Sequence, residues 1–412
     1  MKYGLIGEKL GHSFSKEVHS MLSDYEYEIC EIPKDGLDAF MREASFKAIN
    51  VTIPYKESVI PYLSYISDEA KKIGSVNTIV NRGGKLYGYN TDFFGMVSLI
   101  NKMRLSIKGK KTVILGTGGT SKTAFAVVES LGAEPIITVS RTKKDGAIDY
   151  EELMKDHLDA EIIINTTPVG MYPDNFSSPV DISPFTKLEG VIDAIYNPLR
   201  TSLVIDALER GIKAEGGLYM LVAQAVYASE IFLDTKYPTE KLDKIYKKIK
   251  RKKENIVLIG MPASGKSTVA TLLSKDLSRT VLDTDRMIEK SRQKSISDIF
   301  ESDGEKAFRD YETYEIANAS LQNNTIIATG GGAILRSENV KMLKQNGVLF
   351  FIDRPYEKLV PTSDRPLASD LDAIKKRYEE RYDVYLKTAD ARIDADDQPV
   401  NVAKKITGVF YK

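Results

Sequence analysis

Residues 256–270, "IVLIGMPASGKSTVA", pass from an apolar, β-branched run into a glycine-rich loop that ends in Lys-Ser and opens a helical pattern. The spacing satisfies G-x-x-x-x-G-K-[ST] with Gly260, Gly265, Lys266 and Ser267. Such a loop works only where a helix starts just beyond the end of a strand, because free amide N–H groups at the helix start must converge on phosphate oxygens. The segment is therefore read as part of a parallel α/β sheet. Gly260, Ala263, Ser264, Gly265 and Thr268 are the candidate backbone contacts, Lys266 the cation for the β- and γ-oxygens, and Ser267 a hydroxyl ligand for Mg²⁺. The loop is read as holding ATP.

A glycine loop of another kind, "TVILGTGGTS", lies at 112–121. Gly116, Thr117, Gly118, Gly119 and Thr120 follow a predicted strand and open a predicted helix, so their backbone can approach a pyrophosphate at a helix N-terminus. About 20 residues on, where an acid would bind the ribose hydroxyls of NAD, the next strand ends in Ser140, Arg141 and Thr142, followed by Lys143 and Lys144. Cationic and hydroxyl donors suit a 2′-phosphate, so NADP(H) is expected in preference to NAD.

Both loops sit in a chain of 412 residues, which a range of about 100–200 residues per domain divides into two or three. Short β-branched runs alternate with longer helical patterns in three regions, the mark of parallel sheets with crossover helices. Lobes are expected over 1–100, with strands "YGLIG", "YEIC" and "AINVTI", and over 101–235, with "KTVILG", "PIITVSR", "EIIINTT" and "GVIDAIY". A third domain is expected over 255–412. Between them, 236–254 is basic and polar and is read as a solvated helix end plus linker rather than a nucleic-acid arm; it has no aromatic platform for nucleic acid. Basic and acidic residues balance at 58 each, so no net field draws the chain to nucleic acid or an anionic membrane. Small molecules are the expected partners, with a monomer and a homodimer both open. One cysteine, Cys30, and a start without an apolar signal core point to the cytoplasm.

Ahead of the second loop come "GHSFSKEVH", "INVTIPYKE", "GSVNTIV" and "GYNTDFFG". Ser13, Ser15, Thr52 and Asn77 offer hydroxyl and amide groups that grip a polyol. Reduction of a ketone needs an acid for the developing alkoxide, which a lysine paired with a carboxylate can supply; Lys56 after a strand and Asp92 in an Asn-Thr-Asp turn are the candidates. In this order, ahead of the glycine loop, the segments resemble shikimate dehydrogenase, which reduces 3-dehydroshikimate to shikimate with NADPH. The likeness spans roughly 1–235 and includes "GGLYMLVAQA" at 216–225. It implies that Ser13, Ser15, Thr52, Asn77, Asp92, Tyr196 and Gln224 hold the substrate, that Lys56 and Asp92 form the catalytic pair, and that Ala194, Gly217 and Met220 contact the cofactor. Lys16 stands where the family commonly has proline. Tyr219 replaces the second glycine of Gly-Leu-Gly-Met, a change expected to reshape the nicotinamide pocket.

Beyond the ATP loop, Asp283 and Asp285 in "VLDTDRMIE" are read as alternating on an extended stretch, Asp283 steadying the metal's water shell and Asp285 holding an acceptor hydroxyl as its base. Arg309 suits a carboxylate, "ATGGGAIL" allows close backbone approach, Arg365 lies on a loop able to close over phosphates, and "EERYDVY" adds Arg381. As a series behind the loop these resemble shikimate kinase across nearly all of 255–412. The resemblance implies that Asp285, Arg309, Gly331 and Arg381 bind shikimate, that Arg365 contacts ATP, and that Lys266 and Asp285 serve catalysis. Family members often read Arg-x-Pro-x-Tyr where this chain has "RYDVY", and carry further arginines before "DRPL". The expected whole is a two-lobed shikimate dehydrogenase, an α/β substrate lobe plus a Rossmann-like NADP lobe, followed by a P-loop kinase domain with a parallel sheet. It would reduce the C3 ketone and then phosphorylate the C3 hydroxyl in line. The alternatives are an NAD-dependent quinate-type dehydrogenase joined to a kinase for another polyol, and a metabolite sensor without turnover.

Overall fold

Short runs rich in Ile and Val cannot cover both of their faces alone, and here they assemble into three separate sheets. The computed structural model describes residues 1–11, 14–143, 146–359 and 371–412. The chain divides into two compact units, Met1–Lys248 and Ile249–Lys412.

The first unit holds two sheets. One runs β2-β1-β3-β5-β6-β4, with β1 Tyr3–Gly7, β2 Tyr27–Glu31, β3 Ala48–Val51, β4 Tyr65–Ile66, β5 Thr78–Arg82 and β6 Lys85–Tyr89. It is not wholly parallel as the alternation led us to expect: β5 pairs antiparallel with both β3 and β6. The reason lies in "NRGGKL". Arg82 pairs with Lys85 across Gly83 and Gly84, whose φ values of 61° and 84° give the two-residue turn that closes a hairpin. The other sheet is parallel throughout in the order β11-β10-β9-β7-β8, with β7 Thr112–Leu115, β8 Ile136–Val139, β9 Ile162–Asn165, β10 Gly190–Asp193 and β11 Lys213–Glu215. Its three central strands are buried along their whole length.

The second unit carries a parallel sheet, β13-β14-β12-β15-β16, from β12 Asn255–Ile259, β13 Thr280–Asp283, β14 Thr325–Ala328, β15 Gly347–Asp353 and β16 Ala391–Asp394. Successive side chains feed opposite cores. Val257, Ile259, Leu349 and Phe351 enter one, while Ile256, Leu258, Phe350 and Ile352 enter the other. Each such side chain taken from water adds about 1.5–3 kcal/mol, which explains the unbroken apolar runs of the two central strands β12 and β15.

Over 236–254, read as a solvated helix end plus linker, the structure has a helix, Thr239–Lys253. Leu242, Ile245, Tyr246 and Ile249 are buried, and their i, i+3, i+4, i+7 spacing forms one apolar stripe under a basic, solvated face. Composition conveyed the basic face; period carries the stripe.

The Ser15–Leu22 helix buries His19 completely. Its ring stacks on Tyr27 at 3.9 Å and an interplanar angle of 9°, and Nδ1 shares a hydrogen bond with the Tyr25 hydroxyl. Burial pushes its pKa down from 6.5 to about 3, with a contact to Asn50 pulling the other way. The folded pKa lies below the unfolded one, so this residue's contribution to stability is complete above pH 6.5 and is lost as pH falls from there toward 3. Urea unfolding of the first unit should lose about 2 kcal/mol through His19 between about pH 6.5 and about pH 5. A His19→Phe chain, which keeps a ring against Tyr27, should lack that component; equal pH slopes in the two proteins would contradict a buried neutral imidazole.

Candidate active sites

In the first unit the chain turns after β3, and Lys56 lies in that turn. Asp92 lies in the first turn of the Thr91–Lys102 helix rather than in the isolated turn read from sequence. Asn90 caps that helix, its Oδ1 accepting from the amides of Asp92 at 3.1 Å and Phe93 at 3.4 Å. The cap fixes where the carboxylate points, and Lys56 Nζ donates to Asp92 Oδ2 at 2.6 Å. The two side chains are 29% and 20% exposed, so the pair sits on a wall open to ligand.

That wall belongs to a cavity of 440 Å³ lined also by Gly119, Thr120, Ala194, Tyr196, Gly217, Met220 and Gln224. An adjoining 370 Å³ hollow shares Lys56, Asp92, Tyr196 and Gln224 and adds Ser15, Thr52, Asn50 and Asn77. The described substrate candidates are thus brought together, with cofactor candidates on the neighbouring wall. Ser13 lies outside the described residues. Asn77 is tightly held: its Oδ1 accepts from the Thr91 amide at 2.7 Å and from the Thr78 and Thr91 hydroxyls at 3.0 and 3.2 Å. These three donors occupy the amide oxygen within the protein. Behind it Asn50 donates to Asn77 O at 3.2 Å and accepts from the Tyr27 hydroxyl at 2.8 Å. Sequence reading missed Asn50, although it sits two residues before Thr52 in the quoted "INVTIPYKE".

The glycine loop joins β7 to the Gly119–Ser130 helix, whose first turn has Gly118 and no side-chain cap. A Cβ on Gly118 or Gly119 would meet nothing within 4 Å, so the backbone there is open to a ligand. The Gly116 amide donates to Val139 O at 2.8 Å, which ties the loop to the end of β8. Ser140, Arg141 and Thr142 follow directly, with Arg141 and Thr142 exposed. Lys143 is taken up by Glu152 at 2.7 Å, and Lys144 lies outside the described residues. An uncapped helix start beside an exposed arginine fits a dinucleotide with a 2′-phosphate.

Tyr219 leaves this cavity alone. It is 4% exposed and absent from the lining, while Gly217, Met220 and Leu221 line it. The expected reshaping of the nicotinamide pocket is therefore corrected: a helix turns about 100° per residue, and Tyr219 points out of the opposite face.

In the second unit the phosphate-loop motif joins β12 to the Lys266–Leu277 helix. Gly260 and Gly265 have φ of 148° and 92°, and Ala263 takes φ 63°, a left-handed conformation that costs a non-glycine residue about 1 kcal/mol. The helix start on Gly265 has no side-chain cap. Lys266 is buried, with Nζ held by the carbonyls of Gly260 and Met261 at 2.8 Å each. Ser267 Oγ donates to Asp283 Oδ2 at 2.8 Å, joining the expected metal hydroxyl to the expected metal carboxylate. These donors fit a nucleotide phosphate with a hard divalent cation.

Asp283 and Asp285 do not alternate on a strand. Asp283 ends β13 and caps the Thr284–Arg292 helix, and Asp285 lies in that helix's first turn. The two carboxylates diverge, Asp283 toward Ser267 and Asp285 toward Gly330, where an added Cβ would meet Asp285 Oδ1 at 2.7 Å. The turn 330–332 gathers the remaining candidates. Gly331 O accepts from Arg381 Nη1 at 3.1 Å and from the Tyr385 hydroxyl at 2.5 Å. A Cβ on Gly332 would meet the Arg309 guanidinium at 2.0 Å, so a side chain there would push Arg309 from its present place. Arg365 lies outside the described residues.

Glu312 was not foreseen. It is fully buried between Arg309, whose Nη1 donates to its Oε2 at 2.9 Å, and Gly330. Burial pushes its carboxyl up, Arg309 pulls it down, and Asp285 pushes it up again. Burial also weakens the Arg309 cation, but Glu312 and Glu305 outweigh it and hold its pKa above the ordinary value. The signal was available as an Arg–Glu pair at i, i+3 in "FRDYE".

Residues 5–79 match the family model for the shikimate dehydrogenase substrate binding domain, and residues 262–410 match that for shikimate kinase. The shikimate dehydrogenase (NADP(+)) of Clostridium beijerinckii is 39% identical over 245 residues, 56% of this chain and 91% of that protein. Among solved structures, a chorismate mutase/shikimate 5-dehydrogenase fusion protein from Clostridium acetobutylicum is similar with a TM-score of 0.57 at 38% identity, covering 60% of this chain and 96% of that one. The Thermus thermophilus shikimate 5-dehydrogenase in complex with NADP(H) and shikimate gives a TM-score of 0.54 at 25% identity, over 60% of this chain and 99% of that one. With the paired Lys56 and Asp92 at one cavity and the phosphate loop beside Asp283 in the other unit, the chain belongs to the shikimate dehydrogenase family and carries a shikimate kinase domain, a bifunctional oxidoreductase and phosphotransferase of the shikimate pathway.

Proposed function

We propose that the first unit reduces 3-dehydroshikimate to shikimate with NADPH and that the second phosphorylates shikimate from ATP. The observation that carries the first assignment is the 2.6 Å Lys56–Asp92 contact on a cavity wall that also holds the glycine-loop helix start. A partly exposed ion pair adds only about 0–1 kcal/mol to stability, so proton handling accounts for it better than folding does. Ser15, Thr52, Asn77, Tyr196 and Gln224 hold the ring hydroxyls and carboxylate, with Ser13 assigned from the motif alone. Lys56, steadied by Asp92, gives its proton to the oxygen that becomes the new hydroxyl. Gly116 to Thr120 would hold the pyrophosphate, Ser140, Arg141 and Thr142 the 2′-phosphate, and Ala194, Gly217 and Met220 the nicotinamide end.

In the second unit Asp285 orients the acceptor hydroxyl and takes its proton, while Arg309 and Arg381, beside Gly331, clamp the carboxylate. Gly260, Ala263, Ser264, Gly265, Lys266, Ser267 and Thr268 would hold the nucleotide, with Asp283 orienting Ser267 toward Mg²⁺; Arg365 is assigned from the motif. NADPH supplies the hydride and Mg·ATP the phosphoryl group when bound. We assign the lobes to 1–100 and 101–235 and the kinase to 255–412, and place the chain in the cytoplasm, where both nucleotides are abundant. The NAD-dependent quinate reading and the sensor reading have no observation in their favour.

Lys56→Ala should lower the rate of reduction by about 10²–10⁴ and leave phosphorylation of supplied shikimate unchanged, and Lys266→Ala should do the reverse. Either variant losing both activities would contradict separate sites. Arg141→Ala should reduce the preference for NADPH over NADH, read as a ratio of kcat/KM, by about tenfold or more, the worth of a charged hydrogen bond; an unchanged ratio would remove Arg141 from the cofactor site. Glu312→Gln should raise the kinase KM for shikimate more than that for ATP, because Arg309 loses its buried counter-charge. Equal changes in both would detach Glu312 from the acceptor.

A further inference from the structure

We propose that residues 236–248 form a clasp that positions the two ligand-bearing helices of the dehydrogenase unit, Ser15–Leu22 and Leu218–Leu233. This rests on the roles proposed above for Ser15, Met220 and Gln224.

The clasp grips the Leu218–Leu233 helix at both ends. Near its start, the face opposite Met220 and Gln224 presents Tyr219, whose hydroxyl donates to Asp243 Oδ1 at 3.0 Å and whose ring meets Tyr246 edge-on at 5.0 Å. The Lys102 ammonium lies over both rings, at 5.2 and 5.0 Å, and is paired with Glu215, which also accepts from the Tyr246 hydroxyl at 3.4 Å. This is a closed polar and aromatic cluster that holds the helix from behind. Near its end, the buried Glu230 carboxylate accepts from the Tyr237 amide at 2.8 Å and from Lys236 Nζ at 2.7 Å.

The second helix is held at the end far from its ligand residue. Lys241 Nζ donates to Leu22 O at 2.7 Å, at the last turn of the helix that begins with Ser15. A cation there meets the unsatisfied carbonyls and the negative end of the helix dipole. A hydrogen-bonded chain adds a lateral tie: the Tyr237 hydroxyl shares a bond with Ser229 Oγ at 3.1 Å, Tyr25 donates to that Oγ at 3.0 Å, and Tyr25 meets His19 of the same short helix. Both helices thus present ligand residues to the cavity on one side and lean on the clasp from the other. A tilt of either would displace first the ligand residues the two helices carry themselves, Ser15 or Gln224.

The test uses the full chain and measures both reactions on one preparation, so the kinase serves as an internal control. Tyr219→Gly should raise the KM for 3-dehydroshikimate and for NADPH about tenfold with kcat within about twofold, the signature of lost positioning in binding, while both kinase KM values stay unchanged. Lys241→Met, which retains the stem, should raise the KM for 3-dehydroshikimate alone, by about threefold. If Tyr219→Gly does not fold, Asp243→Ala removes the same contact from its exposed side and should raise both dehydrogenase KM values about twofold. Unmoved KM values in these variants, or both reactions falling together with the melting temperature, would overturn the clasp. Failure of the underlying assignment would look different, because Lys56→Ala would then still reduce the ketone.

Discussion

A helix that begins on glycine has amide N–H groups that no side chain of its own can satisfy. Elsewhere in the chain Ser67, Asn90, Asp149, Thr201 and Ser295 accept from the amides of the helices they precede. The helices at Gly119 and Lys266 have no such acceptor, and each begins directly beyond a buried parallel strand. Both sites are organised around that shared deficit. The parallel sheets deliver strand ends and helix starts to one edge, where phosphate oxygens can complete the hydrogen bonding. The residues proposed for acid–base work lie on other elements, Lys56 after β3, Asp92 in the Thr91–Lys102 helix and Asp285 in the Thr284–Arg292 helix.

The two sites treat charge differently. Lys56 and Asp92 remain partly exposed and touch directly on a cavity wall, as the proposed proton transfer to a ligand requires. In the second unit the charges are interior. Glu312 is fully buried and Arg381 is 8% exposed, with burial lowering the pKa of Arg381, and Arg309 is balanced by two glutamates. Buried charges hold only when their partners are fixed, and the turn at 330–332 fixes them by letting Arg309 and Asp285 approach a backbone without Cβ atoms. Such preorganisation is what the proposed clamping of a small anionic polyol by Arg309 and Arg381 requires.

Much of this was legible as spacing. The strand–loop–helix contexts of 116–120 and 260–267 follow from glycine positions after β-branched runs, and the alternation of runs foretold parallel sheets in all but one case. The exception, the hairpin at Gly83–Gly84, was written in a local dipeptide that a search for crossover helices passes over. Local conformation was harder to read. Asp283 and Asp285 look alternate in one dimension, yet the chain turns into a helix at Thr284, and a two-residue separation on a helix points side chains apart. Glu312 is paired with Arg309, and Asn50 is bonded to Tyr27 and to the Asn77 carbonyl, contacts that no ligand motif names. In 236–254 the charge hides how far the helix runs: most letters of "TEKLDKIYKKIKRKK" are polar or charged, but the buried stripe needs only Leu242, Ile245, Tyr246 and Ile249.

The central claim is that the alcohol made in the first unit is the acceptor used in the second. Mass spectrometry of the products formed from 3-dehydroshikimate, NADPH, ATP and Mg²⁺ tests it in one mixture. Shikimate 3-phosphate should appear only when both nucleotides are present, with shikimate alone formed when ATP is withheld. Shikimate accumulating without phosphate in the complete mixture would contradict the account, because the second unit would then have to act on a different acceptor.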